Sequence, residues 1–327
     1  MSEFRENITS DEWVIISENR NKRPVSKSEK RKRIPAPKAG CPFENLQKSG
    51  NWPPILSYPN EKNWQIVLLP NKYPALDNNY KNNNFKVRGI YRSKAGTGYH
   101  DLIVTRDHYK NFAEIDKNLA HKVFDIFKER HLEMRENKNN AYASTFCNWG
   151  GLVGSSIWHP HYQMLTLPII PPKIVRSLSG SLKYFKENKR CVRCDIIKEE
   201  KKYKKRIIAE NNYGIAFTPY ASRTPFEVSI FPKKHISAFS ETPQDVLYGM
   251  ADLLQIVLKM IKKRLNDPDF NFFIHGSPFD DKKYFYHHWH IEVLPRISLF
   301  GGFEYSTDID INTVDPDTAA KILRGEK

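Results

Sequence analysis

Residues 144–168 read STFCNWGGLVGSSIWHPHYQMLTLP, and residues 270–295 read FNFFIHGSPFDDKKYFYHHWHIEVLP. Each runs from a strand-like apolar stretch, through a loop, into a histidine–X–histidine triplet followed by apolar residues. The blocks upstream match as well. DLIVTRDHYKNFAE (101–114) corresponds to VSIFPKKHISAFSE (228–241), which sets His108 against His235. The triplets set His159 against His288 and His161 against His290. The separation is 51 residues from His108 to His159 and 53 from His235 to His288. Matching blocks at near-equal spacing predict duplication of a structural unit.

Working outward, WQIVLLP (64–70), LIVT, YGIAFTP (213–219), VSIF and HIEVL predict short strands. A helix is expected from Asp116 to Asn137, with Val123, Phe124 and Phe127 on its apolar face. A second is expected from Thr242 to Leu265, facing inward through Val246, Leu247, Met250, Leu253 and Leu254. The fold class is therefore α+β: two tandem units with antiparallel sheets and flanking helices, over residues 1–172 and 173–327. Pro-Pro and Ser/Gly signals in IIPPKIVRSLSGSLKYFKENKR (169–190) predict a linker between them.

The 327 residues, 39% hydrophobic, suffice for one large domain or two ordinary ones. No run approaches the roughly 18 apolar residues of a membrane span. The polar opening MSEFRENITSDEW has no apolar core of a secretory signal. A cytoplasmic protein with no membrane partner is expected. A net charge of +15 suits either nucleic acid or phosphorylated substrates. Acidic residues interrupt most of the basic runs, as in KSEKRKR (27–33), KENKR (186–190) and KEEKKYKKR (198–206), and no long basic helix forms a stripe. Nucleic acid is therefore not an expected partner.

In His159-Pro160-His161 the two rings share one face of an extended strand. One can be held while the other attacks a substrate. The preceding turn adds Gly154, which permits close backbone approach, and Ser155 and Ser156, whose hydroxyls and N–H groups suit phosphate oxygens. Neutral imidazole is nucleophilic near pH 7, and its attack on an α-phosphorus gives a labile phosphoramidate. His161 is the candidate nucleophile. Gln163, on the same face, could donate to the phosphoryl oxygens as charge develops.

The four cysteines favour metal or free thiol over disulfide in a reducing compartment. Cys147, in STFCNWGG, is expected in the core. Cys191 and Cys194, with His235 and His288 from the repeat, make a complete tetrahedral zinc set. The first unit offers Cys41, His108 and His159, with Glu44 of CPFE in place of a second cysteine; a carboxylate also ligates zinc. One or two zinc ions per chain are expected. In the N-terminal arm, Arg20 and Arg23 are candidates to clamp phosphate.

Together these residues resemble the galactose-1-phosphate uridylyltransferase family of the histidine-triad superfamily, including its ADP-glucose phosphorylase-like relatives. The resemblance covers nearly the whole chain. It is carried by EWVIISENRNKRP, CPFE, PNKYPAL, PYASRTPFEVSIFPKKH, HHWHIEVLPR and GGFEYSTDIDINTVDPDTAA, and most specifically by NWGGLVGSSIWHPHYQ. It implies two histidine-triad-like units, a homodimer whose active sites take residues from both chains, and ping-pong transfer through a nucleotidylated His161. It places Asn71, Asn148, Ser156 and Gln163 on nucleotide- or phosphate-contacting positions. Arg20 and Arg23 fall on phosphate-binding positions, His159 on a metal-ligand position and Glu304 on a hexose-hydroxyl contact. The chain departs from the pattern at Glu44, where a cysteine is usual. Ser298 and Asp310 stand where the uridylyltransferases place a lysine and a glutamine that hold the hexose phosphate.

The motifs put exchange between UDP-glucose and a hexose 1-phosphate first, the galactose-metabolism reaction. The alternative is an ADP-glucose or dinucleoside-polyphosphate phosphorylase, with inorganic phosphate as acceptor. A zinc protein that binds nucleic acid is a third reading; it leaves the Gly-Ser turn and the paired histidines unexplained.

Overall fold

The computed structural model describes residues 2–22, 34–78, 84–280 and 282–326. The first half contributes β1 (Glu3–Asn7), β2 (Glu12–Ile16), β3 (Leu56–Tyr58), β4 (Ile66–Pro70), β5 (Lys86–Arg88), β6 (Tyr91–Ser93) and β7 (His100–Thr105). Helix α1 (Lys117–Glu136) follows, then β8 (Tyr142–Trp149) and β9 (His161–Leu167). The second half contributes α2 (Pro172–Asn188), α3 (Val192–Tyr203), β10 (Ile207–Glu210), β11 (Gly214–Phe217), β12 (Val228–Pro232) and α4 (Gln244–Arg264). It closes with β13 (Phe270–His275), β14 (His290–Pro295), α5 (Gly302–Thr307), β15 (Asp310–Asn312) and α6 (Pro316–Arg324).

The class is α+β, as expected. Ten strands join in one sheet of order β10-β11-β12-β14-β13-β8-β9-β7-β4-β3, antiparallel throughout. The seam between the halves is β8 against β13, with Asn148 opposite Asn271 and Cys147 opposite Phe272. The strands on either side mirror one another, as duplication requires. The expectation of antiparallel pairing fails at one place: β15 runs parallel to β2 in a small separate sheet of order β1-β2-β15. That sheet seats the N-terminal hairpin on the second half. Arg5 bonds to the Tyr220 carbonyl at 3.1 Å and pairs with Asp315 at 2.8 Å.

Alternation explains the layers. In β4, Ile66 and Leu68 face the core shared with α1, while Val67 and Leu69 face a second cluster with Phe43, Leu46 and Trp64. Helix α1 begins and ends where its periodicity predicts: Asp116 caps it by accepting the Asn118 N–H at 2.8 Å. Its buried face carries Ala120, Val123, Phe124, Phe127, His131 and Met134. Helix α4 buries Val246, Leu247, Met250, Leu253 and Leu254 against the same sheet face. Cys147 lies in this core, and all four cysteines are free thiols.

The linker expected at 169–190 is mostly helix α2. Pro172 sits at the first helical position, where its missing N–H costs nothing. Gly180 and Ser181 lie on the helix face that packs rather than in a turn: Gly180 lies so close to the Thr9 carbonyl that a side chain there would overlap it. Among the described residues no helix is long and apolar enough to cross a membrane.

Candidate active site

His161 opens β9, and Gln163 follows two residues on, facing the same side. Asn148 lies on neighbouring β8, one step beyond the Cys147–Tyr162 pair. On the other side Leu102 of β7 stands opposite Gln163. The His161 ring is 7% exposed, and burial lowers its pKa below the usual 6.5, so the neutral form prevails at pH 7. Nδ1 lies 2.9 Å from the His159 carbonyl. A carbonyl only accepts, so Nδ1 carries the proton and the Nε2 lone pair has no protein partner among the described residues. Phe43 packs on both rings, at 5.5 Å from His161 and edge-on at 5.7 Å from His159.

The turn leading into His159 is wound on Gly150 (φ 106°) and Gly154 (φ 87°), backbone conformations that suit glycine. Asp269, from the second half, accepts the Leu152 N–H at 2.8 Å. The two serines differ. Ser155 donates its hydroxyl to the Ile157 carbonyl at 2.7 Å and its N–H to the Gly150 carbonyl at 3.2 Å. Its donors brace the turn, contrary to the expectation that they are available to phosphate. Ser156 is exposed, and its hydroxyl makes no hydrogen bond among the described residues. Gly154 is exposed beside it, and Asn71 follows β4, tied by its N–H to the His100 carbonyl at 2.8 Å.

Behind the nucleophile, Cys41, Glu44, His108 and His159 converge. His108 Nδ1 lies 3.2 Å from His159 Nδ1 and 3.0 Å from Glu44 Oε1. His159 Nδ1 lies 3.4 Å from Glu44 Oε1 and 3.6 Å from Cys41 Sγ. Each ring donates its Nε2–H outward, His108 to the Ala36 carbonyl at 3.0 Å and His159 to the Thr105 carbonyl at 2.7 Å. With neutral rings, the two Nδ1 lone pairs face each other and a carboxylate oxygen. Two ring nitrogens, a carboxylate oxygen and a thiol sulfur gathered in this way make a donor set suited to a cation. A tetrahedral zinc, with Zn–N of about 2.0–2.1 Å and Zn–S of about 2.3 Å, keeps ligand atoms roughly 3.3–3.8 Å apart. The donor set fits that ion, with the 3.4 and 3.6 Å spacings inside this range and the 3.0 and 3.2 Å spacings a little short of it. Burial pushes the His159 pKa down to about 4, so this ring too offers a lone pair.

The second cluster gathers all four expected residues. The ligand atoms of Cys191, Cys194, His235 and His288 lie within 4.8 Å of one another. Cys194 Sγ is 3.3 Å from His235 Nδ1 and 3.6 Å from His288 Nδ1. Hydrogen bonds from Cys194 first, then His235 and His288, outweigh burial and lower the Cys191 pKa, favouring its thiolate. This set also fits a tetrahedral zinc.

A cleft of about 330 Å³ lies over the second half's copy of the site, not at His161. There His290 stands opposite His275 and keeps the same tautomer, with Nδ1 3.2 Å from the His288 carbonyl. But Glu292 occupies the place of Gln163. It is paired with Arg223 at 2.7 Å, and the six residues just before the triplet, KKYFYH (282–287), hold no glycine or serine, where the first half has VGSSIW (153–158). Glu292 thus sets an ion-paired carboxylate where the first half has an amide.

Arg20 and Glu304 are not brought against His161 within the chain. Arg20 is exposed on the turn after β2, which is tied to the second half by the Ser17 N–H on the Asn312 carbonyl at 2.8 Å. Glu304, on α5, accepts the Gly301 N–H at 2.8 Å. Arg23 lies outside the described residues. Sequence reasoning missed His100, whose Nε2 is 3.0 Å from Gln163 Oε1, and Asn271, whose Nδ2 is 2.8 Å from Asn148 Oδ1. The only sequence signal for Asn271 is a polar residue inside the apolar run FNFFI.

Residues 79–324 match the family described as Domain of unknown function (DUF4921). The chain is 32% identical over 328 residues to an ADP-glucose phosphorylase of Arabidopsis thaliana, covering 98% of this chain and 92% of that one. It is 29% identical over 335 residues to a galactose-1-phosphate uridylyltransferase of Thermotoga maritima, covering 99% and 98%. A crystal structure of an ADP-glucose phosphorylase from Arabidopsis thaliana with bound ADP-glucose superposes with a TM-score of 0.86 at 30% identity, covering all of both chains.

Proposed function

Because the chain belongs to the galactose-1-phosphate uridylyltransferase family, which includes ADP-glucose phosphorylase, and is a nucleotidyltransferase, we propose that it cleaves ADP-glucose with inorganic phosphate through an adenylylated His161. Likeness to the Arabidopsis phosphorylase over the whole chain favours phosphorolysis over the uridylyl exchange that the motifs put first. Ser298 and Asp310, standing where the uridylyltransferases place hexose-phosphate ligands, point the same way.

The observation that carries the reading is the His161 tautomer. Its Nδ1 proton is held by a carbonyl at 2.9 Å and its Nε2 lone pair is left over. Nε2 attacks the α-phosphorus. A nitrogen–phosphorus bond forms, and the bond to the bridging oxygen breaks, releasing glucose 1-phosphate with the electron pair. An oxygen of inorganic phosphate then attacks the same phosphorus, the nitrogen–phosphorus bond breaks, and ADP leaves with the ring neutral again. The Gln163 amide and the Ser156 hydroxyl donate to the phosphoryl oxygens in both steps. Cys41, Glu44, His108 and His159 would hold one zinc, and Cys191, Cys194, His235 and His288 a second. Such ions supply structural cross-links, the first fixing the strand end on which His161 sits. A homodimer would give Arg20 and Glu304 their expected roles, each reaching the site of the other protomer. Four free thiols suit the reducing cytoplasm.

The test is to incubate the protein with ADP-glucose or UDP-glucose labelled in the α-phosphate, quench, and measure acid-labile label on the protein. Adenylyl label is expected, lost in His161→Asn, and discharged to ADP by inorganic phosphate faster than by hexose 1-phosphates. Normal labelling of His161→Asn would remove the nucleophile from the account. Preferred uridylyl label discharged by galactose 1-phosphate would restore the exchange reaction.

A further inference from the structure

We propose that His100 and Asn271 are positioning residues that fix which way the Gln163 and Asn148 amides face, turning both NH₂ groups toward the phosphoryl group. This rests on the nucleotidyl-histidine reading. The oxygen and nitrogen of a side-chain amide are distinguished by their partners. Here two chains of hydrogen bonds each begin at a main-chain group that has only one role to play.

The first begins at the Ala75 N–H, which can only donate and lies 3.1 Å from His100 Nδ1. Nδ1 therefore accepts, and the ring proton is on Nε2. Nε2–H lies 3.0 Å from Gln163 Oε1 and donates to it. With its oxygen taken, the Gln163 NH₂ is left without a protein acceptor among the described residues. Asn71 Nδ2 sits 3.1 Å from the same Nε2. Its own oxygen accepts the Tyr73 N–H at 2.9 Å, so this nitrogen is another donor and cannot replace Gln163 as acceptor.

The second chain begins at the Val153 carbonyl, which can only accept. Asn271 Nδ2 lies 3.3 Å from it and 2.8 Å from Asn148 Oδ1, giving one proton to each. The Asn148 oxygen is thereby taken and its NH₂ is left without a protein acceptor among the described residues. The β8–β13 register, with Asn271 opposite Asn148, sets this contact. Both amides thus reach the site as donors before substrate arrives. A group that must stabilise charge gains most when it needs no reorganisation, and loss of one such donor typically slows catalysis about 10²–10³-fold. Without His100 or Asn271, each amide turns freely and can present its oxygen to the phosphoryl group instead.

The experiment measures single-turnover labelling of His161 by ADP-glucose, with the concentration giving half-maximal rate. His100→Phe is made alone and with Gln163→Ala; Asn271→Asp is made alone and with Asn148→Ala. Each single variant is expected to slow labelling about 10–100-fold with a smaller change in half-saturation. Neither should slow it appreciably once its amide partner is gone. His100→Gln, which restores a donor, should recover much of the rate. Equal slowing with and without the partner amide, or no slowing, overturns the proposal. Should His100→Phe fail to fold, the isosteric Asn271→Asp carries the same cycle. Wild-type protein that takes no label from any nucleotide sugar overturns the nucleotidyl-histidine reading and this proposal together; labelled wild type with unslowed variants overturns the proposal alone.

Discussion

Cys191→Ser should empty the second metal cluster and lower the melting temperature by a calculable amount. The thiolate it removes is one of four ligand atoms within 4.8 Å of one another, and a serine hydroxyl does not ionise near neutral pH to replace it. The cluster ties together the start of α3, the loop after β12 and the loop before β14, so a bound ion stabilises only the folded chain. At free zinc one hundred times the dissociation constant, that stabilisation is about 2.7 kcal/mol. Unfolding entropy of about 2.1 cal/mol/K per residue over 327 residues is about 0.7 kcal/mol/K. The midpoint should therefore fall by about 4 °C in the variant. The continuous sheet supports treating the chain as one cooperative unit. Calorimetry in a zinc buffer reads the shift, and a chromophoric chelator after denaturation counts the metal, one equivalent fewer per chain. A variant with unchanged zinc and an unchanged midpoint would mean that these four side chains hold no ion.

The acid limb of His161 labelling should be centred below pH 6.5. Burial lowers the ring's pKa, so the reactive neutral form persists to more acid pH, and an acid limb centred at or above 6.5 in single-turnover rates would contradict this. Gly150→Ala should cost about 1–3 kcal/mol and slow labelling at least about tenfold, since a Cβ at φ 106° would overlap the Asp269 carboxylate that holds the turn. Thermal melts and the labelling assay would refute it by matching wild type.

The two long helices, the strands and the gathering of the His/Cys residues into two clusters were readable because each depends on local periodicity or on comparing one half with the other. Asp116 and Asn137 end α1 as their types suggest. The fused sheet was not readable. Pairing of β8 with β13 joins residues more than a hundred positions apart, and neither strand's alternation names its partner. Helix α2 was hidden because Pro171 and Pro172 read as a break, while proline at a helix's first turn is compatible with it. Ser155 looked free for phosphate because sequence shows a hydroxyl but not its Ile157 acceptor. His100 and Asn271 went unseen for the same reason: each matters through one bond to an amide on another strand.

The asymmetry between the halves follows from this seam. Strand β13 gives Asn271 to the first site, and the residue just before it, Asp269, holds the Gly150–Ser156 turn. The second half therefore braces the turn and the amide beside His161, whatever becomes of its own histidine pair. His290 keeps the tautomer and Nε2 lone pair of a nucleophile, yet its pKa is pushed to about 3 by burial, and Glu292 faces it 3.7 Å away. An amide introduced by Glu292→Gln would leave Arg223 with Glu227 at 3.7 Å, and the triplet would still follow YFYH (284–287) rather than a glycine-wound turn. Loss of chemistry in this half is thus spread over the carboxylate, its arginine partner and the missing turn, so no single substitution there should produce a second labelled histidine.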